Sequence, residues 1–175
     1  MLGFTLSGHI RIVNDPVELV PLLITFNNSS YKKVYDLLNK AWMTEEEILS
    51  HVKEDGLQHC LSVLKKGNLI EEQWRMPVSG QKPIREYRAT YSKFRANFQC
   101  NFSDLSDLIY ISISNDESLR ETVERIEEEL RNGNSSIADI ARKFNVSPVF
   151  IRGLAKRIPN LDVKGQGLVR LDTGR

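Results

Sequence analysis

Residues 44–72 read TEEEILSHVKEDGLQHCLSVLKKGNLIEE, and their pattern is typical of two helices joined by a tight turn. Thr44 and Glu47 have the capping-box spacing, in which each side chain accepts a hydrogen bond from the backbone N–H of the other residue. Asp55-Gly56 marks the turn, and the leucines that follow recur at helical spacing. The second helix is expected to end at Gly67-Asn68, where the backbone can become left-handed.

The neighbouring segments extend this pattern to three helices and a β-hairpin. Upstream, Ser30 is expected to cap a helix that buries Val34 and Leu38. Downstream, residues 69–76 and 84–91 are rich in β-branched and aromatic residues and flank a loop of glycine and proline, which predicts a hairpin. This order is that of a winged helix-turn-helix, whose third helix enters the major groove of DNA.

The same residues resemble a known family. Residues 56–72, GLQHCLSVLKKGNLIEE, resemble the recognition-helix-to-wing segment of ArsR-like transcriptional regulators, particularly the archaeal ones, and residues 86–90, EYRAT, resemble the close of their wing. The resemblance extends over residues 30–91 and implies a DNA-binding regulator. Asn68 stands where glycine is common, and asparagine tolerates the same backbone conformation. The cysteine-rich metal box of the arsenic-sensing members is absent, so metal sensing is not implied.

A second motif lies near the C-terminus. Residues 137–157 read IADIARKFNVSPVFIRGLAKR and resemble the core of many bacterial and archaeal helix-turn-helix regulators. Ala141 is the small residue that lets two helices cross closely, and Asn145 suits the left-handed turn between them. Ser147 is a favourable N-cap and Pro148 fits the first helical position. A compact helix-turn-helix is therefore predicted over residues 136–158.

The remaining segments complete an α+β fold that is mainly α with a β-wing. Asp15 is expected to cap a short apolar helix over residues 15–26. Ser114 and Asp116 are expected to cap a long charged helix that ends at Gly133. Three segments stay open. Residues 96–102 are a candidate strand, and residues 105–113 are apolar without a clear type. The tail from residue 159 is either a loosely packed strand or disordered. We predict two domains: a winged helix-turn-helix domain over residues 1–95 and a smaller helical domain over residues 96–175.

Charge is unevenly distributed although the net charge is only +1. Residues 30–95 contain nine acidic and twelve basic side chains, and residues 134–175 contain three and eight. Residues 101–133, between them, contain nine acidic and three basic side chains. Two basic regions flanking an acidic one favour a polyanionic partner, although a solvated helix face gives similar counts.

DNA contacts are expected from polar side chains outside the apolar stripes of the two reading helices and from the wing. Glutamine can pair with adenine edges, and lysine and arginine suit phosphates and guanine. The first motif supplies Gln58, His59, Ser62, Lys65, Lys66, Arg75, Lys82, Arg85 and Arg88. The second motif supplies Ser147, Val149, Arg152, Lys156 and Arg157 as an exposed face.

Enzymatic and metal-dependent classes are not indicated. The sequence contains no glycine-rich phosphate loop ending in Lys-Ser/Thr, no Gly-x-Ser-x-Gly and no HExxH. His51, His59, Cys60 and Cys100 form no CxxC or HxxxH pair, and Cys60 falls on the apolar stripe as a small core residue. We therefore predict no catalytic residues, no metal and no cofactor.

These observations predict a sequence-specific, double-stranded-DNA-binding transcription regulator. A homodimer is expected, because operator half-sites are about one helical turn apart, with residues 116–132 or 17–26 as candidate dimer surfaces. No run of about 20 apolar residues is present, and residues 1–11 lack the charge order of a secretory signal, so a cytoplasmic protein without a membrane partner is expected. The alternative is a protein-interaction module of the transcription or RNA-processing machinery, which the near-neutral charge keeps open. No effector is indicated.

Overall fold

The computed structural model describes residues 9–53 and 55–171 and divides them into two compact units. The first unit comprises residues 9–13 and 25–97, and the second comprises residues 14–24 and 98–171. The sequence predicted residues 14–24 as part of the first domain, whereas Val17 and Val20 are buried in the core of the second unit. The prediction about a secretory signal rests partly on residues 1–8, which lie outside the described residues.

The described residues contain both helices and short strands, in agreement with the predicted α+β class. In order, the elements are β1 (Ile10–Val13), a 3₁₀ turn (Pro16–Glu18), α1 (Leu19–Asn27), α2 (Ser29–Leu38), β2 (Met43–Thr44), α3 (Glu45–Leu49), α4 (Leu57–Lys66), β3 (Ile70–Arg75), β4 (Ile84–Ala89), β5 (Lys93–Ala96), α5 (Phe102–Ile113), α6 (Asp116–Arg131), α7 (Ile137–Phe144), α8 (Pro148–Arg157), β6 (Leu161–Lys164) and β7 (Gly167–Arg170). No helix within residues 9–53 and 55–171 is both long enough and apolar enough to cross a bilayer.

The first unit places α2, α3 and α4 beside an antiparallel sheet of order β2-β4-β3. The predicted hairpin is confirmed, with β3 and β4 in register from Ile70 opposite Ala89 to Arg75 opposite Ile84. The capping box is also confirmed: Thr44 N donates to Glu47 Oε2 at 2.7 Å, and Glu47 N donates to Thr44 Oγ1 at 3.2 Å. β1 and β5 form a separate parallel pair.

The core of the first unit is formed by the apolar stripes that the sequence predicts. Leu38, Ile48 and Leu64 are fully buried, and Cys60 is buried with them. Burial raises the pKa of the Cys60 thiol to about 12, so this thiol is a packing group and an unreactive one. Asn68 has a φ of 51° directly after the C-cap of α4, as predicted for a residue that ends this helix.

Two predicted helix caps are wrong by one or two residues. Asn28, and not Ser30, caps α2, because its carboxamide oxygen accepts from both Ser30 N and Tyr31 N. Asn115, and not Ser114 or Asp116, caps α6, since its side chain accepts from Ser118 N at 2.8 Å. The amide side chain reaches the free N–H groups of a first turn as well as serine or aspartate does.

The second unit combines α5 to α8 with the hairpin β6–β7. Asn145 has the predicted left-handed backbone, with φ 53° and ψ 45°, and Ser147 caps α8 by accepting from Phe150 N at 3.0 Å. Residues 105–113, the apolar segment of unclear type, belong to the helix α5. The candidate strand at residues 96–102 is a strand only at Ala96, the last residue of β5. Within the tail, residues 161–170 form a hairpin, and Leu161 and Leu168 are buried in the core of this unit.

The two units repeat one order of elements. The first has α2, β2, α3, α4 and the hairpin β3–β4; the second has α6, a bridge at Ser136, α7, α8 and the hairpin β6–β7. Thr44 pairs with Glu86 on the second hairpin strand and caps α3. Ser136 pairs with Gly167 on the second hairpin strand and caps α7. The same local arrangement therefore occurs twice in the chain.

Candidate nucleic-acid interface

The exposed side of α4 carries a short polar stripe. Leu57, Leu61 and Leu64 are buried on the inner side of the helix. Gln58 is exposed, and Ser62 and Lys65 are half-buried at intervals of four and three residues, so that all three lie on one outer face. This face has the size and polarity that base-edge contacts in a major groove require.

Neighbouring elements hold the first turn of α4 in place. Gln58 Nε2 donates to Glu45 Oε2 at 2.6 Å, and the Tyr31 hydroxyl lies 2.6 Å from His59 Nδ1. Gly56 precedes the helix with a φ of 87°, a backbone conformation that L side chains rarely adopt. His59 is thus a positioning group between α2 and α4, while Gln58 can exchange Glu45 for another partner.

The cations beside α4 are partly neutralised by the hairpin. Lys65 Nζ lies 2.6 Å from Glu72 Oε2 and 5.0 Å from the centre of the Tyr87 ring. The hydrogen bond from Lys65 lowers the pKa of Glu72 below its ordinary value. Arg85 lies 3.8 Å from Glu72 and stacks over the Trp74 ring at 5.0 Å. Glu72 on the hairpin therefore pairs with two positive groups, Lys65 and Arg85.

Arg75 has a structural position. Its guanidinium donates from Nη1 to Glu47 Oε1 at 2.6 Å and from Nη2 to Glu47 Oε2 at 3.0 Å. Its Nε donates to Glu86 Oε2 at 2.5 Å. The hydrogen bonds from Arg75 hold the pKa of Glu47 at about 2, and the backbone N–H of Thr44 adds to this effect. Arg75, for which a DNA contact is predicted, therefore fastens the hairpin to the first turn of α3.

A Glu47→Gln variant is expected to lose about 1 kcal/mol of stability at pH 7, because the side chain is 43% exposed and solvent screens the ion pair. The folded pKa lies below the ordinary value of 4.5, so the stabilisation is present above pH 4.5 and is lost as the pH falls towards 2. Urea unfolding followed by tryptophan fluorescence at both ends of this range measures the difference, with Glu46→Gln on the same turn as the control. A difference that does not shrink on acidification would contradict this role.

The remaining predicted residues of the first unit lie along the hairpin and at the end of α4. Lys82 is exposed in the hairpin loop and forms no ion pair within the described residues. Arg88 is half-buried, and its Nε is a buried donor without a hydrogen-bond partner in the part of the chain that the structure describes. Lys66 is half-buried. The sequence did not indicate that Trp74, Met76 and Val78 would be exposed along the same hairpin arm.

In the second unit, α8 is covered by α5. Phe150, Ile151, Gly153, Leu154, Ala155 and Arg157 are buried. A Cβ on Gly153 would lie 2.9 Å from the side chains of both Ile111 and Leu108 on α5. The prediction that Arg157 belongs to an exposed face of α8 is therefore wrong, because this side chain is buried.

Three of the polar residues predicted on α8, Ser147, Arg152 and Arg157, have intramolecular partners in this unit. Arg157, which is 7% exposed, donates to the Ile111 carbonyl, to the Ser114 carbonyl at 2.7 Å and to Asp116 at 2.6 Å. Arg152 forms an ion pair with Asp15, and Ser147 Oγ donates to Asp107 at 3.0 Å. Val149 and Lys156 are half-buried. The structure does not bring these five side chains together on an accessible surface.

Comparison with known proteins gives one family match, and it extends through both units. The model of the family described as ArsR transcriptional regulators matches residues 13–172, which include both units. The chain belongs to the ArsR family of transcriptional regulators. No individual curated protein matches it. The ArsR match extends well beyond residues 30–91, where the sequence resemblance was seen, so the second unit is part of what this family has in common.

Proposed function

We propose that this ArsR-family chain binds double-stranded DNA in a sequence-specific way and thereby regulates transcription. The proposal includes the finer fold assignment: α2, α3, α4 and the hairpin β3–β4 form a winged helix-turn-helix, with α4 as the reading helix and the hairpin as the wing. The observation that carries it is the outward polar stripe of Gln58, Ser62 and Lys65 beside that hairpin. Family membership supports the regulatory role.

The contacts of the first unit suggest a division of labour. Gln58 and Ser62 have the donors and acceptors that read base edges. Lys65, Arg85 and Lys82 suit backbone phosphates, which give affinity that is independent of sequence. Binding would require Lys65 and Arg85 to break their ion pairs with Glu72 and to contact phosphate oxygens. Glu72 would then disfavour any DNA whose phosphates are not placed to replace it. Arg75 and His59 act only by holding α3, α4 and the hairpin together.

The second unit supports a different assignment. Its order of helix, bridge, helix, helix and hairpin repeats that of the first unit, and we propose that it is a second winged helix. Because α5 covers α8, this unit is assigned a structural role and no base reading. The homodimer remains a prediction, and the stripe of α6 is a poor candidate for its surface, since Leu119 and Ile126 are buried in the core of their own unit.

A protein-interaction module is the second candidate. Phe102, Ile109 and Ile113 are exposed on the outer side of α5, and exposed apolar groups on one helix face are typical of protein contacts. If the free chain does not bind DNA at low salt, this alternative is favoured.

Fluorescence anisotropy with mixed genomic duplex fragments, titrated with salt, tests the DNA proposal. We expect an affinity that falls steeply with salt, by a log–log slope of about −0.9 for each phosphate contacted. For a selected high-affinity fragment, Gln58→Ala should weaken binding by about 5-fold to 150-fold, because a bidentate base contact contributes about 1–3 kcal/mol. Gln166→Ala, an exposed glutamine in the second unit, serves as the matched control and should leave the affinity unchanged. No binding to any fragment at low salt would contradict the proposal.

A further inference from the structure

A cleft of about 580 Å³ lies in the first unit, away from the outward stripe of α4. Ser30 and Lys33 line it from the first half of α2, and His51 and Lys53 line it from the segment between α3 and α4. None of these four side chains belongs to the DNA contacts predicted from the sequence. The cleft therefore brings together polar groups that neither the reading helix nor the hairpin uses.

The charges of this cleft differ from those around the hairpin. Lys33 and Lys53 are exposed and form no ion pair within the described residues, in contrast to Lys65 and Arg75. The adjacent Lys32 points to another partner, Asp36, at 2.7 Å. Among the described lining residues, Lys33 and Lys53 are basic and Asp55 is acidic.

The position of the cleft relative to α4 is fixed by a contact already described. Tyr31 lies between Ser30 and Lys33 on α2, and its hydroxyl lies 2.6 Å from Nδ1 of His59 on the first turn of α4. This contact keeps the lysine-bearing end of α2 beside the start of the reading helix. A duplex seated on α4 would then pass its sugar–phosphate backbone close to the cleft.

We propose that the cleft of Ser30, Lys33, His51 and Lys53 binds the phosphodiester backbone of the DNA that α4 reads. This inference rests on the proposed function. Two ammonium groups, an imidazole and a hydroxyl provide the donors that phosphate oxygens accept. A volume of about 580 Å³ is many times that of a water molecule, which occupies about 30 Å³, so the cleft has room for a phosphate group and its adjoining sugar.

Salt-titrated anisotropy of the full chain tests the cleft with a double variant, Lys33→Gln/Lys53→Gln. We expect weaker binding to every duplex by a similar factor, and a salt slope that is smaller in magnitude by about 0.9 to 1.8. The preference for the selected fragment over random duplex should stay unchanged, because backbone contacts carry no sequence information. Lys32→Gln/Lys40→Gln removes the same charge from the same region without touching the cleft and should keep the slope of the unmodified chain.

The outcomes separate the cleft from the proposed function. Steep salt dependence that is equal in the cleft variant and the unmodified chain would overturn the cleft while leaving DNA binding intact. Equal losses in the cleft and control variants would also overturn it, because the effect would then be one of net charge. No DNA binding by the unmodified chain would overturn both. A backbone NMR titration with inorganic phosphate distinguishes the ligand source: shifts at residues 30–33 and 50–53 with phosphate but none with duplex would identify a small-anion site and contradict the DNA assignment.

Discussion

Gly153→Val is expected to destabilise the second unit by about 3 kcal/mol or more. The first added carbon would lie 2.9 Å from both Ile111 Cδ1 and Leu108 Cδ2, and 3.7 Å from Val20 Cγ2. Overpacking of a close-packed core costs about 1–3 kcal/mol and occasionally more, and valine adds two further methyl groups in the same space. Relief would require the side chains of Ile111 and Leu108, which are fully buried, to leave their packed positions.

The position of the tryptophans makes this experiment selective. Trp42 and Trp74 both belong to the first unit, so tryptophan fluorescence reports on that unit, whereas circular dichroism at 222 nm reports on all helices. Urea unfolding of the variant should therefore show an early loss of helicity with little change in fluorescence. Ala138→Val, at an exposed position on α7, is the control for β-branching and should cost less than about 0.7 kcal/mol.

The result also bears on how many helices read DNA. Equal stability of Gly153→Val and Ala138→Val would mean that α5 does not approach α8 closely. The polar residues of α8 would then regain the open face that the sequence predicted, and the second helix-turn-helix would return as a candidate DNA contact. A large loss of stability would instead agree with α8 as a buried helix of the second unit.

Local chemistry made much of this fold predictable. Thr44 with Glu47, Asn145, Ser147 and Pro148 each satisfy a backbone requirement within a few residues, and such requirements are visible in the sequence. The hairpin β3–β4 was equally clear, because its loop and its arms differ in composition. These features were enough to predict two helix-turn-helix units and the outer stripe of α4.

Long-range packing was not predictable in the same way. The pairs of Arg75 with Glu47 and of Arg152 with Asp15 join residues 28 and 137 positions apart, and no spacing rule relates them. α5 has apolar residues on both its inner and outer sides, so its sequence gave no sign of which helix it would cover. Similarly, residues 14–24 lie next to the first unit in the chain, but their valines fill the core of the second.

The candidate site was also predictable only in part, where a single helix places the residues. Gln58, Ser62 and Lys65 follow from the period of α4 alone, because residues off the leucine stripe lie on its outer face. Lys33 and Lys53 were missed, since they belong to different elements and meet only after α2 and the α3–α4 segment pack together.

Arg157→Met is expected to destabilise the second unit by about 2–4 kcal/mol. Arg157 donates to the carbonyls of Ile111 and Ser114, which lie at the C-terminal end of α5 where a helix leaves its last carbonyls unpaired. A buried acceptor that loses its donor costs about 1–3 kcal/mol. The pair with Asp116 adds little, because that carboxylate is 86% exposed. Methionine keeps most of the apolar stem, so the expected loss comes from the hydrogen bonds and not from a cavity.

Urea unfolding monitored at 222 nm measures this loss, and Lys156→Met provides the control on the adjacent residue. Lys156 is half-buried and forms no hydrogen bond or ion pair within the described residues, so its replacement should change stability by less than about 0.5 kcal/mol. Indistinguishable midpoints for the two variants would show that the α5 carbonyls find water or another donor, and that Arg157 does not fasten α5 to α8. A clear difference between the two midpoints would mean that the buried Arg157 side chain fastens α5 to α8. This role would explain why Arg157, a cation in a helix-turn-helix motif, is not available to DNA.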